Sequence, residues 1–395
     1  MPSFLTRPLL NASHASLPLM VAVTMTGTVA MHIFIPALPH AAGDLGTSPA
    51  AAQLTITLYL CGLAFGQLVY GPISDRFGRR PVLLTSLALY WVGLLLAIPA
   101  PNIGVLISAR ILQSLGACGP LVLGRAMMRD LSSSEDAARQ IAVLTMAMTL
   151  TPALAPAIGG YIDLWFGWRA IFVALAVLVG VLGALVLLTL PETNRNPVPL
   201  PGIGAVLSGY LRLLRSAKYR NYAIAAACCG TSTYAFLAAA PFLLVDLLGR
   251  PAQEVGLYCL VVVFGMVAGS VVARASAGRV KIRRAARVGN LLCVASAAVL
   301  LAIDLTGQLS VMTLIPPLIL YSVGVGIAGP NAVAGLMNVD PRAAGSASSL
   351  YGFLQMMAGA GFTLAIALWH AASALPLAVT LLVASLAAMI SLQRV

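Results

Sequence analysis

Apolar runs of about twenty residues recur along this chain, separated by short polar stretches, and this recurrence sets its architecture. A helix needs about 20 apolar residues to cross the hydrocarbon core of a bilayer. Runs of that kind fall near 17–39, 51–72, 80–99, 103–124, 138–161 and 168–190. After a gap they resume near 220–245, 253–273, 285–305, 310–332, 345–368 and 371–392. The pattern predicts an all-α polytopic membrane protein of about twelve spans. The longest gap, Pro191 to Tyr219, divides the spans into an N-terminal bundle (1–190), a linker (191–219) and a C-terminal bundle (220–395). Within the linker, Ala205 to Lys218 is basic and amphipathic, which predicts an interfacial helix on the cytoplasmic surface. The first run is longer than the core of about 7–15 residues in a cleavable signal, so it is read as a retained span.

Composition agrees with lipid as the main solvent. Apolar residues make up 60% of the chain and charged ones only 9%, with a mean hydropathy of +0.97. A soluble domain carries about 25% charged residues. The net charge of +12 builds no basic face of the kind that nucleic acid needs, because the charges lie between apolar runs. With the N-terminus in the cytoplasm and the spans alternating, 20 of the 23 basic residues fall inside, leaving Arg169 and Arg250 outside and Arg110 within a span. The positive-inside rule requires this asymmetry, and a bacterial inner membrane with both termini cytoplasmic is the expected setting. Tyr161, Trp165, Trp168 and Trp369 fall at outer span ends and are expected as interfacial anchors. The six cysteines lie in apolar runs without metal-site spacing and read as packing residues.

Four stretches carry a family resemblance. Between spans two and three, Gly71, Asp75, Arg76, Gly78, Arg79 and Arg80 fit G-x-x-x-D-R-x-G-R-R. Physically, Gly71 and Pro72 are expected to end a helix, Asp75 to accept from backbone donors, and the arginines to hold the loop inside. Arg110, Gln113 and Gly116 give R-x-x-Q-x-x-G in span four, and Pro152, Pro156, Gly159 and Gly160 lie in span five, with Ala155 where G-P-x-x-G-G has its first glycine. Ile35 to Pro39, with Arg129, Asp130 and Leu131, completes the set. The sequence resembles the major facilitator superfamily, in particular drug:proton antiporters of the bicyclomycin-resistance (Bcr/CflA) type. The resemblance covers essentially the whole chain, including Ala344 to Ser349 at the start of span eleven. It implies two six-helix pseudo-repeats around a central cavity, proton-coupled efflux by alternating access, and a latch between Asp75 and the start of helix eleven. Loop capping by Asp75 without gating, and pure packing by the span-five prolines and glycines, remain alternatives.

Ionisable groups at bilayer depth are costly and point to function. All eleven acidic residues lie in loops or at span ends, which leaves His32 in span one and Arg110 in span four. Both sit seven residues from a predicted outer end, roughly 10 Å deep at 1.5 Å per residue, with Gln113 nearly one turn deeper. They are expected to share a polar site. His32 stands where related antiporters commonly place an aspartate. Three roles are open to it: proton carrier, substrate hydrogen-bonding group, or satisfied structural histidine. With Arg110 the fixed internal charge and no buried carboxylate, neutral, zwitterionic or anionic solutes are expected over dications. Tyr59, Tyr234, Phe236 and Tyr321 are candidate cavity walls, and packing is the alternative for each.

The chain has no phosphate-binding G-x-x-x-x-G-K-[ST] loop, no H-E-x-x-H and no G-x-S-x-G, and its histidines (14, 32, 40 and 370) are scattered. An enzyme is not expected. No cofactor is expected beyond a proton gradient as energy source, and the functional unit is expected to be a monomer in the bilayer with a small-molecule substrate. Uptake of a metabolite is the alternative to efflux.

Overall fold

The computed structural model describes residues 12–131, 134–194, 202–340, 343–369 and 373–395. Arg7, Arg195, Arg342 and His370 lie outside these residues. The N-terminal half contains α1 (Ala12–His32), α2 (Leu38–Asp44), α3 (Pro49–Phe77), α4 (Arg79–Ala97), α5 (Ile103–Leu131), α6 (Ser134–Phe166) and α7 (Trp168–Thr189). A linker helix, α8 (Ile203–Arg215), follows. The C-terminal half contains α9 (Ala217–Pro241), α10 (Ala252–Ser276), α11 (Ile282–Leu305), α12 (Val311–Met337), α13 (Ala344–Leu368) and α14 (Leu375–Gln393). Among the described residues, eleven segments are long and apolar enough to span a bilayer. The twelfth is α6, bent by 45° between Val143–Pro152 and Leu154–Phe166, where Pro152 interrupts the hydrogen-bond ladder.

The first span differs from its expected bounds. It continues beyond Pro39, through a 3-10 turn at Ile35–Ala37 and then α2, to Asp44. His32 therefore ends a helix in mid-span and lies further from the outer end than the sequence count implied. The second span also runs on. Pro72 sits inside α3, which stops only at Gly78, so Gly71 and Pro72 are not a helix terminus. A proline removes one ladder bond, and packing neighbours make such breaks tolerable within a membrane helix.

Packing repeats between the halves. In the first, α5 contacts α1, α3 and α4, while α1 also packs on α6 and α7, and α4 on α7. In the second, α12 contacts α9, α10 and α11, while α9 packs on α13 and α14, and α11 on α14. Each relation in one half has its mate in the other. Close approach is achieved alike: Gly116 of α5 lies against the backbone of Tyr90 in α4, and Gly289 of α11 against that of Ala328 in α12. The halves meet along two main seams, α3 on α13 and α6 on α10, which are again mates, and the 3-10 turn of the first span also packs on α9 and α10.

One end of the bundle gathers the arginines, and many of them bind helix C-termini there. Arg80 donates to Leu187 O of α7, Arg220 to Leu214 O and Arg215 O of α8, and Arg283 and Arg287 to Leu392 O and Gln393 O of α14. A cation there satisfies spare carbonyls and complements the helix dipole. The linker helix α8 packs on α9 and α13, burying Tyr210 and Leu213 and leaving Leu207 and Leu211 exposed. At the opposite end, Tyr161 and Trp165 are exposed and stack at 5.6 Å, and Trp369 is exposed too. Trp168 breaks the expectation of an anchor: it is buried, with Nε1 donating to Asp44 at 3.0 Å. The six cysteines are free.

Candidate functional site

The polar centre begins at the break in the first span. His32, the last residue of α1, is 1% exposed. Its Nδ1 lies 2.7 Å from Thr28 O, and since a carbonyl only accepts, Nδ1 carries the hydrogen. Nε2 is buried without a hydrogen-bond partner, and the ring lies 5.7 Å from that of Tyr234 on α9, in the other half. The histidine thus sits on the inter-half seam with its basic nitrogen uncommitted. Behind it, α6 presses on the helix break: a side chain at Gly159 would collide with Ile33 O, and Pro156 and Ala157 lie against Gly256 of α10. Gly160 and Pro156 are buried and Pro152 half-buried. Gly159 therefore meets the break beside His32, and Pro156 the opposite half.

Arg110 occupies a different place. It is fully buried inside the N-terminal half, donating to Ala30 O at 3.1 Å and Gln113 Oε1 at 2.8 Å. Its guanidinium lies 4.2 Å from the Tyr59 ring and within 6 Å of those of Phe34 (5.5 Å) and Phe172 (5.9 Å). Tyr59 donates to Gly27 O and Tyr90 to Thr26 O, so α3, α4 and α5 each send a donor to carbonyls of α1. Arg110 and His32 share α1 as a neighbour but make no hydrogen bond to each other. Of the four aromatic candidates, Tyr234 is the one whose ring pairs with that of His32. Phe236 is buried in the core, and Tyr321 is buried in the C-terminal half with its hydroxyl 3.4 Å from Leu381 O.

The 2–3 loop forms an ionic knot. Arg79 bonds Asp75 at 2.5 Å, Asp130 at 3.0 Å and Ser74 Oγ at 2.6 Å. Gly78 has φ of +95°, a conformation that disfavours a side chain, and an added Cβ would also strike Glu192. Glu192 accepts from the backbone N–H groups of Arg79 and Arg80 and so caps α4 from the end of the half. Arg80 reaches α7, and Arg76 lies 5.5 Å from the Phe77 ring. Asp75 pairs with Arg79 in its own half, and among the described residues no hydrogen bond ties it to α13. The start of α13 meets α3 one turn earlier, where Ser349 lies against Gly71.

Sequence reasoning missed several groups. Arg125, counted there only for topology, is exposed on α5 within electrostatic reach of Tyr351 on α13. Tyr351 and Gln355 both approach Gly230 of α9. Thr57 and Thr363 bond across the seam at 2.8 Å. The signal for Arg125 was the apolar Ala126, Met127 and Met128 that follow it, which carry α5 beyond the expected end at 124 to Leu131.

Two pseudo-symmetric halves of membrane-length helices, meeting around buried polar groups, have the architecture of a secondary transporter rather than an enzyme. The chain belongs to the Major Facilitator Superfamily, whose family model matches residues 19–363. It is 29% identical over 351 residues to the bicyclomycin resistance protein homolog of Haemophilus influenzae, covering 86% of this chain and 85% of that one. It is 31% identical over 339 residues to multidrug resistance protein D of Escherichia coli, covering 85% and 84%. To the chloramphenicol resistance protein of Pseudomonas aeruginosa it is 31% identical over 344 residues, covering 85% and 80%. Among solved structures, a bacterial homolog of the human lysosomal transporter Spinster superposes with a TM-score of 0.72 at 13% identity, covering 98% of this chain and 95% of that one. The xylose transporter XylE of E. coli gives 0.71 at 11%, covering 96% of each. These structures share the fold.

Proposed function

We propose that this transporter exports small drug-like or metabolite solutes in exchange for protons, from a bacterial inner membrane, as a monomer, with no cofactor beyond the gradient. The observation that carries the reading is His32: a buried imidazole on the seam, its Nδ1–H committed to Thr28 and its Nε2 free. Such a nitrogen accepts a proton when the site opens to an acidic compartment. It then becomes a buried cation beside Tyr234 of the other half, which changes the balance between the two arrangements of the halves. Both termini and the arginine-rich end face the cytoplasm in this reading. The relatives named for drug resistance support export.

The substrate preference follows from the charges that remain accessible. Arg110 is enclosed by aromatic rings, whereas Arg125 is exposed near the seam. Among the described residues, no acidic side chain bonds to His32. Neutral, zwitterionic and anionic solutes are therefore favoured over dications.

The test uses purified transporter in proteoliposomes with an imposed pH gradient and radiolabelled chloramphenicol. The wild type accumulates chloramphenicol against its gradient and does not accumulate methyl viologen. His32→Ala exchanges chloramphenicol downhill and loses accumulation by tenfold or more. Full proton-driven accumulation by His32→Ala refutes the proton role. Accumulation by energised right-side-out vesicles, in place of inside-out ones, makes the protein an importer.

A further inference from the structure

At the end of the bundle away from the arginine cluster, α3 meets α9, α13 and α14 around a cavity of about 410 Å³. His32, Tyr234 and Arg110 do not line it. The N-terminal half supplies Pro49, Ala50 and Gln53, and the C-terminal half supplies the rest, so any occupant bridges the halves.

Two polar groups mark the cavity as a built site. Gln53 is 1% exposed, yet neither its carboxamide oxygen nor its nitrogen has a hydrogen-bond partner. Buried amides are normally matched, so the Gln53 carboxamide, closed to solvent as it stands, has an acceptor and a donor group that a turn of its side chain would bring to a ligand. Asp246 lines the same cavity and is exposed, and it is in no salt bridge among the described residues. It belongs to a π-helical turn, Phe242–Leu247, that continues α9. Such turns are wider than an α-helix and occur often at functional positions. This one brings Phe242, Leu243, Asp246 and Leu247 to the cavity together. The indole of Trp369 lines another side. The remaining walls are largely apolar, and among the described residues no basic side chain lines them.

A lone carboxylate, an aromatic face and apolar walls are the chemistry that recognises an ammonium on a hydrophobic body. The volume lies within the range of drug-sized ligand sites. We propose that this cavity binds an amphipathic organic amine, its ammonium at Asp246 and Trp369 and a hydrogen-bonding group on Gln53, and that occupancy holds the outer seam closed. A ligand that touches both halves stabilises the arrangement in which they meet. Amines act here as modulators from the outer face, a role distinct from cargo at the central site. The same chemistry comes from two sources, a dissolved drug-like amine or the ethanolamine head of a phospholipid.

The test is a titration of the full chain with propranolol in nanodiscs, read as the midpoint of thermal unfolding. In phosphatidylglycerol discs the wild type is stabilised, and the half-saturating concentration rises at least tenfold in Asp246→Asn and in Gln53→Leu. The leucine keeps the side-chain volume and removes the unmatched amide, so that variant stays folded. No stabilisation of the wild type, or equal half-saturation in all three proteins, overturns the site. Discs containing phosphatidylethanolamine separate the sources. Loss of the propranolol response there, dependent on Asp246, assigns the site to the lipid head, and an unchanged response assigns it to the dissolved amine. For the closure, a Thr57→Cys, Thr363→Cys pair is oxidised with and without propranolol: faster cross-linking with the amine upholds the bridge, and an equal rate refutes it.

Discussion

Arg110 holds the first span by three kinds of force at once: two hydrogen bonds, stacking on aromatic faces, and the filling of space within the half. Removing it leaves Ala30 O and Gln113 without their donor and opens a void among Phe34, Tyr59 and Phe172. Arg110→Ala should destabilise the protein by on the order of 3 kcal/mol, as for other large buried side chains cut to alanine. Arg110→Lys should recover only part of this, because an ammonium lacks the planar fork. Thermal unfolding in detergent measures both. The sequence showed that this arginine lies within a span but not the direction it points, since that depends on the angle at which α5 meets α1 and α3. Trp168 was hidden for the same reason. An indole at a span end has the same pattern whether it faces lipid or, as here, Asp44. His32 was legible because a titratable ring among apolar residues stands out in any arrangement.

At the scale of elements, the α3–α4 junction depends on one glycine and one distant carboxylate. Gly78→Ala forces a side chain into a conformation that costs about 1–3 kcal/mol and pushes on Glu192. Glu192→Ala removes the cap from α4, at about 1 kcal/mol. Hydrogen exchange at the amides of Arg79 and Arg80 should rise in both variants, and unchanged protection in Glu192→Ala would remove its capping role. The glycine, aspartate and arginines of this loop were all visible in the sequence. Glu192 was not, because it lies more than a hundred residues away and only the return of α7 to the same end brings it close. The helix stop was misplaced at Gly71 and Pro72 because local propensity argues against proline in a helix, while burial of α3 against α5 and α13 outweighs it.

Over the whole molecule, the two seams between the halves are equivalent by pseudo-symmetry, so the halves can tilt as bodies while helices stay intact. Thr57 and Thr363 report on one seam. With the six native cysteines replaced, the Thr57→Cys, Thr363→Cys pair should cross-link under oxidant, and transport should stop and return with reductant. Undiminished transport by the cross-linked protein would mean that this seam does not open. Span count, the division into halves and the gathering of arginines at one end were all readable, because each rests on periodicity and charge summed over many residues. The outer cavity was not, because its walls come from four helices and its turn at Asp246 has no periodic signature.

The interruption at Ile33–Ala37 gives the first span two rods with a joint between them. Gly159 braces that joint from one side, and the imidazole that ends the inner rod abuts the other half. A charge placed on the ring is thus applied at the weakest point of the span, where a small change of angle swings the outer rod, with its link from Asp44 to Arg169 of α7, through a larger arc. The leverage lies in the backbone, so under the proposed coupling a proton on His32 would act on the far end of the span without any helix having to unwind.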